Sequence, residues 1–391
     1  MHIKIKQVIP LIYKDGNPAD NIELVTFEDY DFHVITQKGR FKVGDKGFYI
    51  EPDYCVPDTE LFLSYAPKLG GGNRVRAIKF NNFSTTELAA PIFSNGILLT
   101  FEDIAEHANL PMMAVPTYEN LGVTKYTPNQ SKQGGLNHDR SSDFPTWISK
   151  TDETNIRKIP NEFKEAIAKG IQLVGTRKVD GSSISFGLKD GKPFVCSRRR
   201  NLPLEYEKVT GFRKPNFLER WGAKIFGYKP KLEIREIVES ESDFVVAARP
   251  ILDRILDYNT REFYITSTNI VFRGELNGGN AKGSGNKNNY DKGQPLNIKL
   301  FGVELSRRKL DWEPVNFQRG NYMEFQSYVR AYSMVQCDEI FNRKFESYDE
   351  LKAVCEGYFK DNKKAEGIVI RSFDGTLSAK YMNEAYDAKK S

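Results

Sequence analysis

A lysine that leaves an apolar run and enters a glycine turn is the clearest chemical signal in the sequence. Residues 178–181 read Lys-Val-Asp-Gly, and the preceding run 171–176 predicts a strand that ends just before Lys178. A lysine amine in this position can act as a nucleophile once it has lost its proton. The motif is short enough to occur by chance, so the residues around it decide its meaning.

Further short motifs follow Lys178, most of them on predicted strands. In chain order they are Ser197-Arg198 after a predicted hairpin, 272–276 (Phe-Arg-Gly-Glu-Leu), Phe301, 366–371 (Glu-Gly-Ile-Val-Ile-Arg) and 378–380 (Ser-Ala-Lys). Taken singly, such residues are also typical of solvated strand ends, of a core or of an exposed basic face. Their order and spacing resemble those of the covalent nucleotidyltransferases, so we interpret them together.

The chemistry of a lysine nucleophile explains the acidic residues. With a pKa near 10.4, only about 0.04% of free lysine is neutral at pH 7, a handicap of about 4–5 kcal/mol unless a neighbour lowers the pKa. We expect Asp180, Glu275 and Glu366 to hold a hydrated Mg²⁺ or Mn²⁺ against Lys178 and a nucleotide α-phosphate. Such a cation favours the neutral amine and offsets charge on the phosphate.

The remaining motif residues suit the rest of a nucleotide. Lys380 and Arg198 are candidate phosphate-binding residues, and Phe301 offers a face on which a purine can stack. Gly181, in the turn beside Lys178, completes the nucleotide-binding set that we predict.

More closely, the motifs resemble those of the ATP-dependent RNA ligases, in the subgroup with an OB-like domain in front of the ligase domain. The resemblance implies that Lys178 receives AMP from ATP, that Arg198 orients a substrate phosphate, that Glu275 lies near the ribose, that Phe301 stacks on adenine, that Glu366 engages the metal and that Lys380 contacts the α-phosphate. It further implies an enzyme that joins RNA 3′-hydroxyl and 5′-phosphate ends, in RNA repair or nick sealing, through lysyl-AMP and RNA-adenylate intermediates.

The resemblance extends to the front of the chain. Segments 20–23, 41–46, 51–53 and 74–79 are similar to the OB-domain strands of that subgroup, and 150–153 (Lys-Thr-Asp-Glu) is similar to its interdomain signature. The intervals 202–260 and 306–360 have no counterpart in it.

Three positions depart from the subgroup pattern. Arg177 precedes the nucleophile where glutamate is common, and no aromatic residue precedes Lys380. An arginine that the subgroup links to the ATP β- and γ-phosphates aligns with Asn155. Arg157, two residues further on, is the residue that we expect to supply this charge.

The fold that we expect is α+β. Short strands over 3–9, 30–36, 41–50 and 74–80, separated by Gly, Asp and Pro, predict an OB-like β-barrel domain over 1–120, and Thr100 followed by Asp103 predicts a helix start. A polar linker is expected over 121–145 and an RNA ligase adenylyltransferase domain over 146–391.

In that second domain we expect alternating helices and strands. The predicted elements are a helix over 160–169, a hairpin over 183–197 around Asp190-Gly191, a core-facing helix over 242–257 interrupted by Pro250, and strands over 262–275 and 297–305. The stretch 277–294 is either a disordered loop or a mobile active-site loop that brings Gly285, Asn289 and Tyr290 near nucleotide.

Composition excludes some classes of protein. No apolar run of about 18 residues and no signal-peptide core occur, so we expect a soluble, cytoplasmic protein, and a monomer. The four cysteines and four histidines show no zinc, disulfide or catalytic-triad spacing. A net charge of +5 suits a protein that meets nucleic acid along one face.

Three alternatives stay open. A capping guanylyltransferase uses the same lysine chemistry with GTP, and a DNA ligase uses ATP on DNA ends, but only 11 residues follow Lys380, where those enzymes carry an OB domain. A non-catalytic RNA-binding protein would not need the intact set of motifs.

We also expect a chain that begins near residue 140 to keep some self-adenylylation.

Overall fold

The computed structural model describes residues 1–108, 115–126, 141–149, 153–226, 233–261, 269–278, 294–306 and 317–386. Several sequence expectations lie outside the described residues. They are segment 150–152 of the interdomain signature, most of the polar linker, the first part of the strand expected over 262–275, and loop residues Gly285, Asn289 and Tyr290.

The described helices and strands alternate irregularly along the chain. The helices are α1 (Glu60–Leu63), α2 (Phe101–His107), α3 (Pro160–Ala168), α4 (Phe217–Phe226), α5 (Asp243–Arg261), α6 (Tyr322–Ala331) and α7 (Tyr348–Asp361), with short 3₁₀ turns at Ala66–Lys68 and Ile156–Lys158.

The strands are β1 (His2–Tyr13), β2 (Pro18–Phe27), β3 (His33–Gln37), β4 (Lys46–Ile50), β5 (Tyr54–Cys55), β6 (Leu69–Gly70), β7 (Arg74–Val75), β8 (Ala77–Phe80), β9 (Phe83–Ser84), β10 (Ile92–Asn95), β11 (Ile97–Leu99), β12 (Thr124–Lys125), β13 (Ser142–Asp143), β14 (Leu173–Arg177), β15 (Ser182–Lys189), β16 (Lys192–Ser197), β17 (Arg200–Leu202), β18 (Glu205–Phe212), β19 (Glu233–Glu239), β20 (Ile270–Asn277), β21 (Asn297–Ser306), β22 (Phe317–Arg319), β23 (Glu339–Arg343), β24 (Gly367–Ser372) and β25 (Ser378–Met382).

The chain divides into two compact units that do not follow chain order. The first unit comprises Met1–Ser131, Asp152–Val179 and Asp338–Ser391, and the second comprises Lys132–Thr151 and Asp180–Cys337. The predicted nucleophile motif is therefore split between Val179 and Asp180. The division into a front domain, a linker and a ligase domain stays a prediction.

The front of the first unit is a nearly closed, barrel-like antiparallel sheet with strand order β11-β4-β1-β2-β3. Strand β1 shows why this part of the chain is extended, because Ile3 and Ile5 are buried while Lys4 and Lys6, which alternate with them, are exposed. The helix start expected at Thr100 is confirmed, since the Thr100 hydroxyl and the Asp103 carboxylate each accept a hydrogen bond from the other residue's backbone N–H at 3.0 Å.

The first unit also contains a four-stranded sheet, with order β23-β14-β24-β25. One face packs on α3 and α7, in a core that includes Phe163, Leu351, Ile368 and Ile370. The helix expected over 160–169 is confirmed as α3, and Gly170 beyond it adopts φ +67°, a conformation that glycine accepts without strain.

The second unit is built on a seven-stranded antiparallel sheet, with order β13-β17-β16-β15-β20-β21-β22. The hairpin expected around Asp190-Gly191 is confirmed, and both turn residues have positive φ, as a two-residue hairpin turn requires. Helix α5 covers one face of the sheet with Val245, Ala248 and Ile255, although Pro250 lies inside it. The expectation of a core-facing helix is therefore confirmed.

No helix in the described part of the chain has both the length and the apolar character needed to cross a membrane.

Candidate active site

Lys178 follows directly after β14, at the end of that strand in the four-stranded sheet. The Lys178 backbone N–H donates to the Gly367 carbonyl at 2.9 Å, which continues the pairing of β14 with β24 beyond the end of the strand. The Lys178 Nζ lies 2.8 Å from Glu366 Oε1, and the two side chains are only 25% and 12% exposed. Two residues predicted to work together are thus in direct contact.

Strand register places Lys380 on the same face as Lys178. Thr176 pairs with Val369 and Val369 pairs with Lys380, so the three residues form one row across β14, β24 and β25. Lys178 lies two residues after Thr176, and side chains two residues apart on a strand point to one side. The other face of this sheet carries Ile368, Ile370 and Tyr381 in the core. The two predicted catalytic lysines and the packing groups therefore occupy opposite faces.

Glu153, the last residue of the interdomain signature, holds the neighbouring strands together. Its Oε1 accepts from Arg371 Nη2 at 2.9 Å and its Oε2 accepts from the Ser378 hydroxyl at 2.6 Å. The next residue, Thr154, accepts the Lys380 backbone N–H at 2.8 Å through its carbonyl. Sequence reasoning noted the signature and gave Glu153 no role. Its two partners could have indicated a role, because Arg371 ends the motif 366–371 and Ser378 begins the motif 378–380.

Arg157, the residue expected to bind ATP phosphates, is buried in an ion pair, and its role toward ATP stays a prediction. Its guanidinium is 10% exposed and forms an ion pair with Glu384, whose Oε1 also accepts from Asn95 Nδ2 at 3.0 Å. Burial opposes the charged forms of both groups, but their attraction outweighs it, so the pKa of Arg157 is raised and the pKa of Glu384 is lowered. A guanidinium that is already neutralised is poorly placed to bind ATP phosphates, so the arrangement favours a structural role.

The Asn95–Glu384 hydrogen bond and two further contacts join the front of the first unit to the sheet that carries Lys178. Asn95 belongs to β10, the Arg157 carbonyl accepts the Asp31 backbone N–H at 2.8 Å, and Lys158 Nζ lies 2.5 Å from Glu51 Oε2. Removing the front strands would expose these groups. The expectation that a chain beginning near residue 140 keeps self-adenylylation stays a prediction, and these contacts are what such a truncation would remove.

Arg177, the residue before the nucleophile, pairs within the first unit. Its Nη1 lies 3.4 Å from Asp338 Oδ2, and its backbone N–H donates to the Asp338 carbonyl at 2.8 Å. This pair holds the end of β14 to the residue that precedes β23.

In the second unit, the glycine turn leads directly to Glu275. A Cβ added at Gly181 would lie 2.4 Å from the Leu276 carbonyl oxygen and 2.6 Å from Glu275 Cγ, so only glycine fits this close approach. Glu275 is partly exposed and lies between Ser183 and Lys299 on the neighbouring strands. Asp180 is also partly exposed, immediately before Gly181.

Phe301 and Arg198 are placed by irregular features of the same sheet. Phe301 lies at a register shift between β20 and β21, where Arg273 pairs with Gly302 and Gly274 pairs with Leu300. A bulge of this kind redirects a side chain away from the regular alternation. Arg198 is exposed in the turn between β16 and β17.

Arg273 is a residue whose role sequence reasoning missed. It is 2% exposed and binds Glu304 through two hydrogen bonds, of 3.1 and 2.8 Å, and the Ser185 hydroxyl at 2.6 Å. Arg273 lies two residues before Glu275 and on the same side of β20, so this buried pair fixes the strand from which Glu275 projects.

The metal prediction meets one favourable observation. Buried Glu366 Oε2 has no hydrogen-bond partner among the described residues, and an unpartnered carboxylate oxygen beside a nucleophile suits a water ligand of hydrated Mg²⁺ or Mn²⁺. Among the described residues, no three His, Cys, Asp or Glu side chains are grouped closely enough to hold a metal. Glu366 belongs to the first unit, and Asp180 and Glu275 belong to the second. The shared metal stays a prediction.

The fold matches solved RNA ligase structures along nearly the whole chain. The chain is similar to a mutant of the Naegleria gruberi RNA ligase with ATP and Mn (TM-score 0.65), to that ligase with PPi (0.64), and to another mutant with AMP and Mn (0.63). Each is 22% identical and the match covers 99% of this chain and 97% of that chain. At this identity the likeness establishes the fold. No family model matches the chain, and no curated protein does.

We predict that Glu153→Gln lowers the rate of lysyl-AMP formation at saturating ATP by at least about tenfold, because small displacements of reacting groups slow a reaction strongly. The amide keeps the shape of Glu153 and removes the charge that holds Arg371. Glu162→Gln, on the exposed side of α3, is the matched control. Equal rates in the two variants would show that Glu153 has no positioning role.

We predict that Arg157→Ala destabilises the fold by about 3 kcal/mol or more at pH 7, because it leaves Glu384 buried without its partner. Arg343→Ala, which breaks an ion pair with 48% and 32% exposed side chains, should change stability by about 1 kcal/mol or less. The lowered pKa of Glu384 means that the pair stabilises the fold above the carboxyl group's ordinary pKa of 4.5 and loses this effect as pH falls below it. Denaturant unfolding at pH 7 and pH 4 measures both effects, and equal losses at the two pH values would contradict this account.

Proposed function

We propose that this protein is an ATP-dependent RNA ligase that joins 3′-hydroxyl and 5′-phosphate ends, with Lys178 as the nucleophile. The observation that carries the proposal is the contact between Lys178 Nζ and Glu366 Oε1, on the sheet face that also carries Lys380. The Naegleria gruberi structures support it, because they are of an RNA ligase with ATP, AMP, PPi and Mn, and include variants at lysine, aspartate, glutamate and arginine residues.

The first chemical step follows from a lysine held beside a carboxylate. The Lys178 ammonium passes a proton to solvent, its nitrogen attacks the α-phosphorus of ATP, an N–P bond forms, and pyrophosphate leaves with the electron pair of the broken P–O bond. Lys380, in the same row of the sheet, can meet the negative charge of the α-phosphate. A divalent cation held with Glu366 would further offset that charge when bound.

The second unit supplies the other predicted nucleotide contacts. Glu275 is proposed to bind the ribose, Phe301 to stack on the adenine and Arg198 to orient a substrate phosphate, with Asp180 and Gly181 beside the nucleophile. The AMP would then pass to an RNA 5′-phosphate, and attack by a 3′-hydroxyl would release AMP and close the phosphodiester bond. We propose that the barrel-like front sheet is an OB-like fold. Cytoplasmic location and a monomeric state stay predictions.

We predict that the protein becomes covalently labelled by α-labelled ATP with Mg²⁺ or Mn²⁺, and that Lys178→Ala abolishes the label. GTP should not label it, which would exclude a capping enzyme. Lys169→Ala, in an exposed ion pair with Glu165, is the control and should be labelled normally. Persistent labelling of Lys178→Ala would refute the assignment, and an unlabelled wild-type protein would favour a non-catalytic RNA-binding role.

The Lys178→Ala variant also separates the later steps from the first. Supplied with a pre-adenylylated 5′ end, it should still join that end to a 3′-hydroxyl, because the lysine is not needed once the AMP is on the nucleic acid. Parallel assays with RNA and DNA substrates would separate an RNA ligase from a DNA ligase.

We predict that Glu366→Ala loses nearly all labelling at saturating ATP and Mg²⁺, whereas Glu165→Ala keeps it. Glu366 Oε1 lies 2.8 Å from Lys178 Nζ, and the second Glu366 oxygen suits a metal-bound water. Labelling of Glu366→Ala at near the wild-type rate would remove this residue from the site.

A further inference from the structure

The segment between β17 and α5 forms a separate hairpin in the second unit. Strands β18 and β19 pair with each other in a two-stranded sheet, and in the described structure neither joins the seven-stranded sheet. Helix α4 lies between the two strands in the chain. This segment belongs to the interval 202–260, for which the resemblance offers no counterpart. Its function therefore has to be read from its own side chains.

Large apolar side chains are exposed throughout this segment. The most exposed are Phe212 (76%), Phe217 (79%), Leu218 (72%), Trp221 (58%) and Ile237 (72%). Single exposed apolar residues are normal, but Phe217, Leu218 and Trp221 lie within about one turn of each other on α4, and such a group is typical of an interaction surface.

Charge divides the segment into two parts. In 213–232, which contains α4, every charged residue is basic except Glu219, and Glu219 is bound by Arg213 through two hydrogen bonds. On β18 and β19 acidic residues outnumber basic ones, and Arg235 is paired with Glu207 and Glu233. The positive charge is thus concentrated where the aromatic side chains are.

Helical spacing interleaves the aromatic and basic side chains of α4. Phe217 and Trp221 are four residues apart, and Arg220 and Lys224 each follow one of them by three, so all four share one stripe of the helix. All four are exposed. The Arg220 Nε donates to the Pro215 carbonyl at 3.1 Å and is not engaged with an acid there.

We propose that α4 is a binding element for single-stranded RNA, with Phe217 and Trp221 stacking on bases and Arg220 and Lys224 contacting the flanking phosphates. This inference rests on the proposed function, because it supplies that site's substrate. Alternation of aromatic and basic groups suits a chain that alternates bases and phosphates. The acidic hairpin strands disfavour RNA beside them, so binding is confined to the helix.

Binding of labelled single-stranded RNA to the full-length protein tests the proposal. The double substitution Phe217→Ala/Trp221→Ala should weaken binding by at least about tenfold, since each stacked base contributes substantially. Trp221→Phe alone should keep most of the affinity, because it retains a stacking face. Met323→Ala, which removes another side chain that is 53% exposed in the second unit, is the control and should bind as the wild type does.

A second variant tests the phosphate contacts independently. Arg220→Ala/Lys224→Ala should weaken binding. It should also reduce the slope of log affinity against log salt concentration by about 1 to 1.5, as expected when two phosphate contacts to a single strand are lost. Lys208→Ala, on β18 and 53% exposed, is the matched basic control and should leave the slope unchanged.

Self-adenylylation of the same variants distinguishes this proposal from the proposed function. The α4 variants should be labelled by ATP like the wild type, because none of the four residues is assigned to the nucleotide site. An unlabelled wild-type protein would refute the proposed function whatever the RNA affinities are. Normal labelling with unchanged RNA affinity in both double variants would overturn the RNA-binding role. The RNA-binding role would also be overturned if Phe217→Ala/Trp221→Ala lost self-association, or binding to anionic vesicles, while its RNA affinity stayed unchanged.

Discussion

The contact between Lys178 and Glu366 depends on the pairing of β14 with β24. The last strand residues set the register, and the Lys178 N–H continues it to the Gly367 carbonyl at 2.9 Å. A shift of one residue would turn Lys178 toward the core face and separate it from Glu366. Lys380, the predicted phosphate-binding residue on β25, pairs with Val369 of β24 and inherits its position from the same register. The core of α3 and α7 on the opposite face is what keeps the register unique.

Two side chains to which the sequence assigned no structural role secure that sheet. Glu153 ties Arg371 to Ser378, and Arg157 is buried against Glu384. Both segments come from the chain just before β14, and the Arg157–Glu384 pair also reaches Asn95 of the front strands. The front of the chain is therefore part of the structural support of the nucleophile. Binding of RNA by the front strands, which an OB-like fold would imply, does not follow from these contacts.

Local patterns predicted local structure well, and contacts between distant segments were not visible in them. Asp190-Gly191 identified its hairpin because the turn demands positive φ, and the apolar spacing of α5 outweighed Pro250 because burial of its face decides the helix. The buried role of Arg157 could not be read this way. Its partner, Glu384, lies 227 residues away, and nothing in the spacing of either residue links them. The division of the chain between Val179 and Asp180 was invisible for the same reason.

The resting contact of Lys178 also constrains when it can react. Under the proposed function Lys178 must present a neutral amine, because an ammonium has no lone pair with which to attack phosphorus, and Glu366 Oε1 lies 2.8 Å from its Nζ. The amine must therefore be released from Glu366 as the nucleotide binds, and the buried, unpartnered Oε2 shows that this carboxylate has a further bonding position. A charge brought to that position would compete with the lysine for Glu366. Under the proposed function, this arrangement would couple formation of the nucleophile to occupancy of the nucleotide site.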